Sequence, residues 1–210
     1  MDENYEQTSS QERENVQSGI YNISIYIFEA LLILITLPIT AVLTVVFALL
    51  VILESRGEAF YSQTRSGKDG QTFKIYKLRS MTMDAEKDGP QWALSNDNRI
   101  TGVGKFIRKT RIDELPQLWN VLRGDMSIIG PRPERPEFIE EFEKETPNFR
   151  DRLAVKPGLT GWAQINGGYE LTPAEKLEYD LYYIRNQNIL LDLKIMLFTV
   201  RIVLTGHGAR

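Results

Sequence analysis

The chain has 210 residues, no cysteine, a single histidine (His207) and a formal net charge of −3. This length suits one domain, or one domain with an anchor. With no cysteine and one histidine, the composition excludes disulfide scaffolds, thiolate or multi-histidine metal sites, and histidine-based catalytic triads. Any catalysis must therefore use carboxylates, lysine, arginine or hydroxyl groups, with or without a hard metal ion.

The first 18 residues form an acidic tail. They carry five carboxylates against one arginine, a local charge of −4, so the other 192 residues carry +1. The tail is polar, rich in Gln, Ser and Asn, and lacks apolar periodicity. This composition predicts that residues 1–18 are disordered.

An apolar anchor is predicted over residues 19–56. Residues 30–53 contain no charged side chain, and 24 helical residues extend about 36 Å, enough to cross a hydrocarbon core. The acidic flank and the late start argue against a signal peptide. Two topologies fit: a single span, or a re-entrant helix turned back at Pro38, where proline removes a helical hydrogen bond. Thr36 and Thr40 are placed to bond the carbonyls that the proline frees.

A β-hairpin is the first element predicted after the anchor. Ala59–Thr64 and Thr72–Met81 are rich in β-forming residues, and turn-forming residues over 66–70 separate them. The polar stretch over residues 82–104 predicts a surface loop. With the helices that follow, the hairpin predicts an α+β, mainly helical fold for residues 57–210.

Helices and irregular segments alternate over the rest of the chain. Helices are predicted near Lys105–Thr110, over a stretch that includes Leu115–Leu122 and stops at Gly124, over residues 137–153, from a capping box at Thr172–Glu175 to about Asn186, and over Ile189–Leu204. The proline-rich residues 130–136 exclude regular helix, and the glycine-rich Lys156–Gly168 predicts an ordered loop or hairpin. The 137–153 helix is amphipathic and acidic, whereas Ile189–Leu204 is apolar enough to lie at a membrane interface or pack on the anchor.

Two adjacent carboxylates, Asp113 and Glu114, lie directly before a predicted helix whose first turn contains Pro116. A helix N-terminus presents free N–H groups and a positive dipole end, which favour phosphate. Adjacent carboxylates also suit Mg²⁺ binding, or one nucleophile beside one metal ligand. The cations that precede them and match phosphate are Lys105, Arg108, Lys109 and Arg111. Taken alone, an Asp-Glu pair here is most often a simple helix cap.

Four blocks of sequence carry a resemblance to a known family. They are FYSQTRSGKDGQTFKIYKLRSM, RIDELPQLWNVLRGDMSIIGPRP, VKPGLTGWAQINGG and EKLEYDLYYIRNQNILLDLKI. Over roughly residues 20–210 the chain resembles the bacterial sugar transferases, the monotopic phosphoglycosyl transferases that start polyprenyl-linked glycan assembly. The second block is the most specific, because it joins rare dipeptides at fixed spacing.

The resemblance implies a two-step reaction. In such enzymes the aspartate of the Asp-Glu pair attacks the β-phosphate of a UDP-sugar and expels UMP, and polyprenyl phosphate then takes the sugar phosphate. By position, Asp113 is the implied nucleophile, and Glu114 is the partner that holds Mg²⁺ with it. The implied substrate-binding residues are Arg108 and Arg132 near the phosphates, Pro131 and Pro133 in a uridine-binding turn, and Lys77, Arg79 and Arg65 with a phosphate-binding or structural role.

The resemblance also implies a cellular setting. Residues 57–210 would be a cytoplasmic catalytic domain at the bacterial cytoplasmic membrane. The re-entrant anchor would be broken at Pro38, where the family has Ser-Pro and this chain has Leu37-Pro38.

Several partners are implied as well. They are a UDP-sugar, polyprenyl (undecaprenyl) phosphate and membrane lipid, with no nucleic acid; a homodimer and downstream glycosyltransferases of exopolysaccharide, capsule or glycoconjugate synthesis are further expectations. The alternative is a catalytically silent, membrane-anchored scaffold for glycan assembly enzymes, which would show no Mg²⁺-dependent turnover.

Overall fold

The structure, a computed structural model, describes residues 3–85, 87, 89 and 97–205. His207, the first two residues of the tail and part of the 82–104 loop lie outside the described residues. The described chain is mostly helical, with two small two-stranded sheets. The prediction of an α+β, mainly helical fold is confirmed.

A long helix, α1 (Glu3–Glu54), occupies the N-terminal part of the chain. Its section Ile23–Glu54 is long and apolar enough to cross a membrane. The helix begins inside residues 1–18, where the composition predicts disorder. The Glu, Gln and Arg residues of this tail are good helix formers, and they extend a helix that is already nucleated behind them.

The backbone of α1 stays helical through Pro38, where the sequence predicts a break. Proline removes one helical hydrogen bond at this turn. The hydroxyl of Thr36 donates to the Leu32 carbonyl (2.8 Å) and that of Thr40 to the Thr36 carbonyl (3.1 Å). The expectation that Thr36 and Thr40 bond the freed carbonyls is wrong, because the carbonyl that Pro38 frees is that of Leu34, and neither hydroxyl bonds it.

Buried apolar residues hold α1 to the rest of the chain near both ends of its apolar run. Ile33 is buried in a cluster with Ile75, and Val51 in a second cluster with Leu78. Polar contacts also join α1 to the rest of the chain near both ends of the apolar run. They are the Glu29 carboxylate accepting from the Ile128 N–H (2.6 Å), and the Glu54 carboxylate accepting from the Val103 N–H (3.0 Å).

The predicted β-hairpin is present. Strands β1 (Phe60–Ser66) and β2 (Thr72–Leu78) pair antiparallel, with a 3₁₀ turn at Lys68–Gly70 between them. The second strand ends three residues before the predicted Met81, which instead forms an isolated bridge with Ile100. Since β2 contributes to both clusters that bury α1, the hairpin joins the anchor to the domain.

The helical segment predicted from Leu115 to Leu122 consists of two pieces. A 3₁₀ helix covers Ile112–Gln117, and α3 (Leu118–Arg123) follows and ends at Gly124, whose φ of 81° is left-handed. Asp113 and Glu114 therefore lie inside the first turn of a 3₁₀ helix, and the prediction that they lie directly before an α-helix that contains Pro116 is wrong. Pro116 explains the difference, because it has no N–H with which to continue an α-helical ladder.

Before this segment, α2 (Gly102–Lys109) begins at Thr101, whose hydroxyl accepts from the Gly104 N–H at 2.9 Å. The helix predicted near Lys105–Thr110 is confirmed and starts three residues earlier than expected.

The second sheet is a parallel pair formed by β3 (Ser127–Ile129) and β4 (Gly158–Thr160). The glycine-rich segment predicted as a loop or hairpin therefore supplies a strand, followed by α5 (Trp162–Ile165). Glycine is required for this pairing, because a Cβ on Gly158 would lie 2.1 Å from the Gly130 nitrogen. The residues between β3 and the next helix are irregular, as the prolines predicted.

Three helices complete the fold. They are α4 (Pro136–Glu145), α6 (Pro173–Arg185) and α7 (Ile189–Thr205), with 3₁₀ turns at Phe149–Ala154 and Gly168–Glu170. The single helix predicted over residues 137–153 is wrong, because Pro147 interrupts it. The capping box of Thr172 and Glu175 is confirmed, with reciprocal hydrogen bonds at the start of α6.

Candidate active site

A cleft of about 1350 Å³ opens beside the β-hairpin and the 3₁₀ helix Ile112–Gln117. Of the residues predicted to form the site, seven line this cleft: Arg65, Lys77, Arg79, Arg108, Asp113, Glu114 and Arg132. Pro131 and Pro133 do not line it. They lie behind Arg132, bordering a small pocket with Ser66 and Leu153. The structure thus brings the charged residues together and leaves the prolines as a rigid frame for Arg132.

Glu114 is held between two cations. Lys77 Nζ donates to its Oε1 at 3.0 Å, and both terminal nitrogens of the Arg132 guanidinium donate to its carboxylate. Burial alone would raise the pKa of Glu114, but Arg132 and Lys77 hold this pKa well below its usual range. Glu114 is therefore a fixed negative charge that orients both cations in the cleft.

Asp113 lies beside this pair in a different environment. It is 7% exposed, and its Oδ1 atom is buried with no hydrogen-bond partner. Burial and the negative charge of Glu114 raise the pKa of Asp113 to about 6. An ionised carboxylate oxygen without a partner is a reactive group, because no hydrogen bond has to be broken before it attacks an electrophile.

Nearby cations, one on β2 and two on the segment before Asp113, partly offset the rise in the pKa of Asp113. The charges of Lys77, Arg108 and Arg111 oppose the rise in the pKa of Asp113. Arg111 adopts a left-handed backbone conformation (φ 59°), which is rare for a residue with a side chain and places it at the start of the 3₁₀ helix. The site therefore has a positive field around the open carboxylate, which suits a phosphate-bearing ligand.

The irregular turn that carries Arg132 is held by a buried ionic cluster. Arg65 Nη1 donates to the Pro133 carbonyl (3.2 Å), and the Glu134 carboxylate contacts Lys176 Nζ at 3.1 Å. Although burial alone would raise it, Lys176 and the other cations hold the pKa of Glu134 below its usual range. Arg65 thus supports the turn from within the cleft wall.

Arg152 supports the same turn and was not singled out by the sequence. Its guanidinium is 2% exposed, bonds Asp180 through two nitrogens (2.8 and 2.7 Å) and donates to the Arg132 carbonyl at 3.0 Å. The sequence placed this residue on a solvated helix face. Because that helix was itself mispredicted, no sequence signal identified Arg152.

Arg79 turns toward the anchor. Its guanidinium donates to the carbonyls of Ser55 (2.7 Å) and Arg56 (2.9 Å), just beyond the end of α1. It satisfies carbonyls that a helix C-terminus leaves free. Its predicted role in substrate binding stays a prediction.

Gln164, on α5, is a further candidate. Both polar atoms of its amide are buried without a hydrogen-bond partner, and the residue lines the cleft. A buried amide without partners costs free energy that a ligand can recover. It lies in one of the four sequence blocks, but nothing in its spacing distinguished it from its neighbours.

The two adjacent carboxylates differ in how they could hold Mg²⁺. Among the described residues no group of three or more histidines or carboxylates is clustered for a metal. Both oxygens of Glu114 already bond Lys77 or Arg132, whereas Oδ1 of Asp113 is unpartnered. Because Mg²⁺ often binds through one or two carboxylates together with phosphate oxygens, Asp113 is the residue here that could share it with a substrate phosphate.

Comparison with known proteins gives a consistent result. A profile described as bacterial sugar transferase matches residues 20–206. A UDP-N-acetylgalactosamine-undecaprenyl-phosphate N-acetylgalactosaminephosphotransferase of Aeromonas hydrophila is 48% identical over 84% of this chain and 42% of its own length. A putative undecaprenyl-phosphate N-acetylgalactosaminyl 1-phosphate transferase of Bacillus subtilis is 59% identical over 57% of this chain and 67% of its own length.

A third relative carries a different sugar in its name. The UDP-glucose:undecaprenyl-phosphate glucose-1-phosphate transferase of Escherichia coli is 45% identical over 80% of this chain and 37% of its own length. The chain therefore spans well under half the length of the Aeromonas and Escherichia relatives.

Proposed function

The chain belongs to the bacterial sugar transferase family, and from that premise we propose that it transfers a sugar 1-phosphate from a UDP-sugar to polyprenyl phosphate and releases UMP. The reaction would be the first membrane step of exopolysaccharide, capsule or glycoconjugate synthesis. The relatives named for undecaprenyl phosphate support the acceptor. The observation that carries the proposal is the unpartnered Oδ1 of Asp113 in a cationic cleft.

The first step of the proposed reaction is a displacement at phosphorus. A carboxylate oxygen of Asp113 bonds to the β-phosphorus of the UDP-sugar, the bond from this phosphorus to the oxygen bridging the α-phosphate breaks, and UMP leaves. No general base is needed, because the carboxylate is already ionised near neutral pH. This fits a chain with a single histidine.

The second step regenerates the nucleophile. An oxygen of the polyprenyl phosphate attacks the same phosphorus, the acyl phosphate bond breaks, and Asp113 returns to its carboxylate form as polyprenyl diphosphate-sugar is released. Arg132, Arg108 and Lys77 stabilise the negative charge that moves between the phosphates. Mg²⁺, when bound by Asp113 with the substrate phosphates, supplies further charge neutralisation.

The contacts of α1 support an anchor with both ends on one side of the membrane. Ile33 and Val51 are 18 residues apart, about 27 Å along a straight helix. Their clusters lie on Ile75 and Leu78, about 10 Å apart along β2. Because one domain contacts both ends, a hydrocarbon core about 30 Å thick does not fit between them. We therefore favour a re-entrant anchor, and we place the catalytic domain on the cytoplasmic side because the resemblance to the family implies it.

UMP release in the full-length chain tests the proposed function. UDP-N-acetylgalactosamine, UDP-glucose and UDP-galactose are supplied in turn with Mg²⁺ and undecaprenyl phosphate; the relatives make the first of these the leading candidate. Asp113→Asn should abolish release and Glu114→Gln should reduce it strongly. Asp151→Asn, which removes an exposed carboxylate, is the matched control.

Two results would contradict this proposal. Undiminished UMP release by Asp113→Asn would exclude Asp113 as the nucleophile. Binding of UDP-sugars without UMP release from any of them would instead favour the scaffold alternative.

A further inference from the structure

One wall of the cleft differs in chemistry from the charged side that holds Asp113. We name it the α7 wall and define it by five residues. They are Leu159, Ala163, Thr199, Ile202 and Val203, contributed by β4, α5 and α7. Four of the five side chains are hydrocarbon, and the hydroxyl of Thr199 is already paired with that of Thr160 at 2.7 Å. The five residues of the α7 wall therefore offer little to a polar ligand, and the neighbouring Gln164 of α5 is the polar group beside them.

The helix behind this wall is buried on one side and exposed on the other. On the buried side lie Leu191 and Ile195, and Asp192 accepts a hydrogen bond from the Tyr183 hydroxyl at 3.0 Å. On the exposed side Leu190, Leu197 and Leu204 are 76%, 64% and 81% exposed. The cleft thus borders a helix whose outer face is mainly apolar and uncovered by the described chain.

Val203 belongs to both surfaces. It lines the cleft and is also 38% exposed. The apolar side of the cleft is therefore continuous with the outer face of α7. On this outer face Arg201 is also exposed, between Leu197 and Leu204, so a hydrocarbon chain leaving the cleft would pass over Val203 beside one charged side chain.

The two proposed substrates differ in how much hydrocarbon surface they could bury against the α7 wall. A UDP-sugar is polar along its whole length, whereas a polyprenyl phosphate joins a charged head to a hydrocarbon chain. With its phosphate near Asp113 and Arg132, the acceptor would have its first isoprene units at the apolar side of the cleft. Burial there is favourable, since each CH₂ group removed from water contributes about 0.8 kcal/mol.

We propose that the α7 wall binds the first isoprene units of the polyprenyl phosphate acceptor and leads its chain out along α7. This inference rests on the proposed function and adds the location of the acceptor chain. It predicts that the wall affects the second half-reaction, in which the acceptor takes the sugar phosphate, and not the capture of the donor.

Ile202→Asn tests the proposal, with Leu204→Asn on the outer face of the same helix as the control. Geranyl phosphate, with two isoprene units and no need of a bilayer, serves as acceptor beside undecaprenyl phosphate. Ile202→Asn should raise KM for both acceptors about tenfold, because a polar group replaces apolar contact with one or two carbon units. Leu204→Asn should leave KM for geranyl phosphate unchanged. A burst of UMP from donor alone verifies that each variant is folded.

The outcomes separate the two proposals. An unchanged KM for geranyl phosphate in Ile202→Asn, or an equal rise in Leu204→Asn, would overturn the acceptor site. Absence of a UMP burst in the unmodified chain would instead contradict the proposed function. Should Ile202→Asn alone lack the burst, Ala163→Leu, which fills the wall, replaces it, and Leu204→Asn remains the control. Ala163→Leu should raise KM for geranyl phosphate and Leu204→Asn should not, and failure of this difference would also refute the proposal.

Discussion

The buried carboxylate of Asp113 should make the folded chain less stable at neutral pH than an amide in its place. Burial and Glu114 raise the pKa of Asp113 from 3.8 to about 6. Each pKa unit corresponds to 1.36 kcal/mol, so ionised Asp113 costs about 3 kcal/mol of folding free energy. The ionised carboxylate therefore lowers the free energy of unfolding of the chain.

The sign of the effect follows from which state holds the proton more tightly. The folded chain binds the Asp113 proton more tightly than the unfolded chain, so stability falls as pH rises from about 4 through about 6. In Asp113→Asn this titration is absent. The variant should therefore match the unmodified chain near pH 4 and exceed it by up to about 3 kcal/mol above pH 7.

Thermal unfolding in detergent between pH 4 and pH 8 would measure this difference. For a chain of this size, 3 kcal/mol corresponds to a rise in Tm of roughly 6–12 °C. Asp151→Asn should shift stability by less than about 0.5 kcal/mol at every pH, because its side chain is exposed. A stability difference for Asp113→Asn that does not grow with pH, or a variant less stable at pH 8, would refute the reasoning.

Three further results are expected. The rate of the UMP burst should rise with pH through about 6 as Asp113 ionises. In Glu114→Gln the midpoint of this rise should move to lower pH, because the negative charge that raises the pKa of Asp113 is gone. A burst rate that does not change with pH would contradict this. Arg152→Met should destabilise the fold by about 3–5 kcal/mol in denaturant unfolding, since it leaves Asp180 buried without its cation, and adding Asp180→Leu should recover most of the loss. Single cysteines introduced into the cysteine-free chain at the exposed Lys68 of the hairpin turn and in the acidic tail should react from the same side of a membrane vesicle, whereas reaction from opposite sides would show a true span.

The elements that the sequence identified are those with strong local signals. The hairpin has two β-rich runs around a glycine turn, and the start of α6 has a complete capping box at Thr172. The errors involve proline and long-range pairing. Pro147 divides a predicted helix, and the strand at Gly158 exists only because it pairs in parallel with Ser127, 31 residues earlier. A pairing partner at that distance leaves no local periodicity to detect.

In the candidate site, too, the sequence identified residues that are close together along the chain and missed those that meet only in the fold. Asp113, Glu114 and the nearby cations are contiguous or lie in recognisable blocks, so the sequence identified them together. Arg152 was missed because its role depends on reaching a carbonyl of the turn at Arg132, a contact that sequence spacing does not encode. The prolines of that turn, predicted to bind uridine, border a small pocket beside Arg132, and their role in substrate binding stays a prediction.

The roles of the two adjacent carboxylates follow from their surroundings rather than from their order in the chain. Arg132 and Lys77 bond Glu114 and keep its pKa low, so it stays charged and engaged. The same charge, with burial, raises the pKa of Asp113, whose Oδ1 has no partner. Two groups of one chemistry are thereby separated into a fixed counter-ion and an open carboxylate, which is the group proposed as the nucleophile. Exchanging the residues, in Asp113→Glu with Glu114→Asp, should therefore remove UMP release although both carboxylates are retained, because the shorter side chain at position 114 falls short of Arg132 and Lys77.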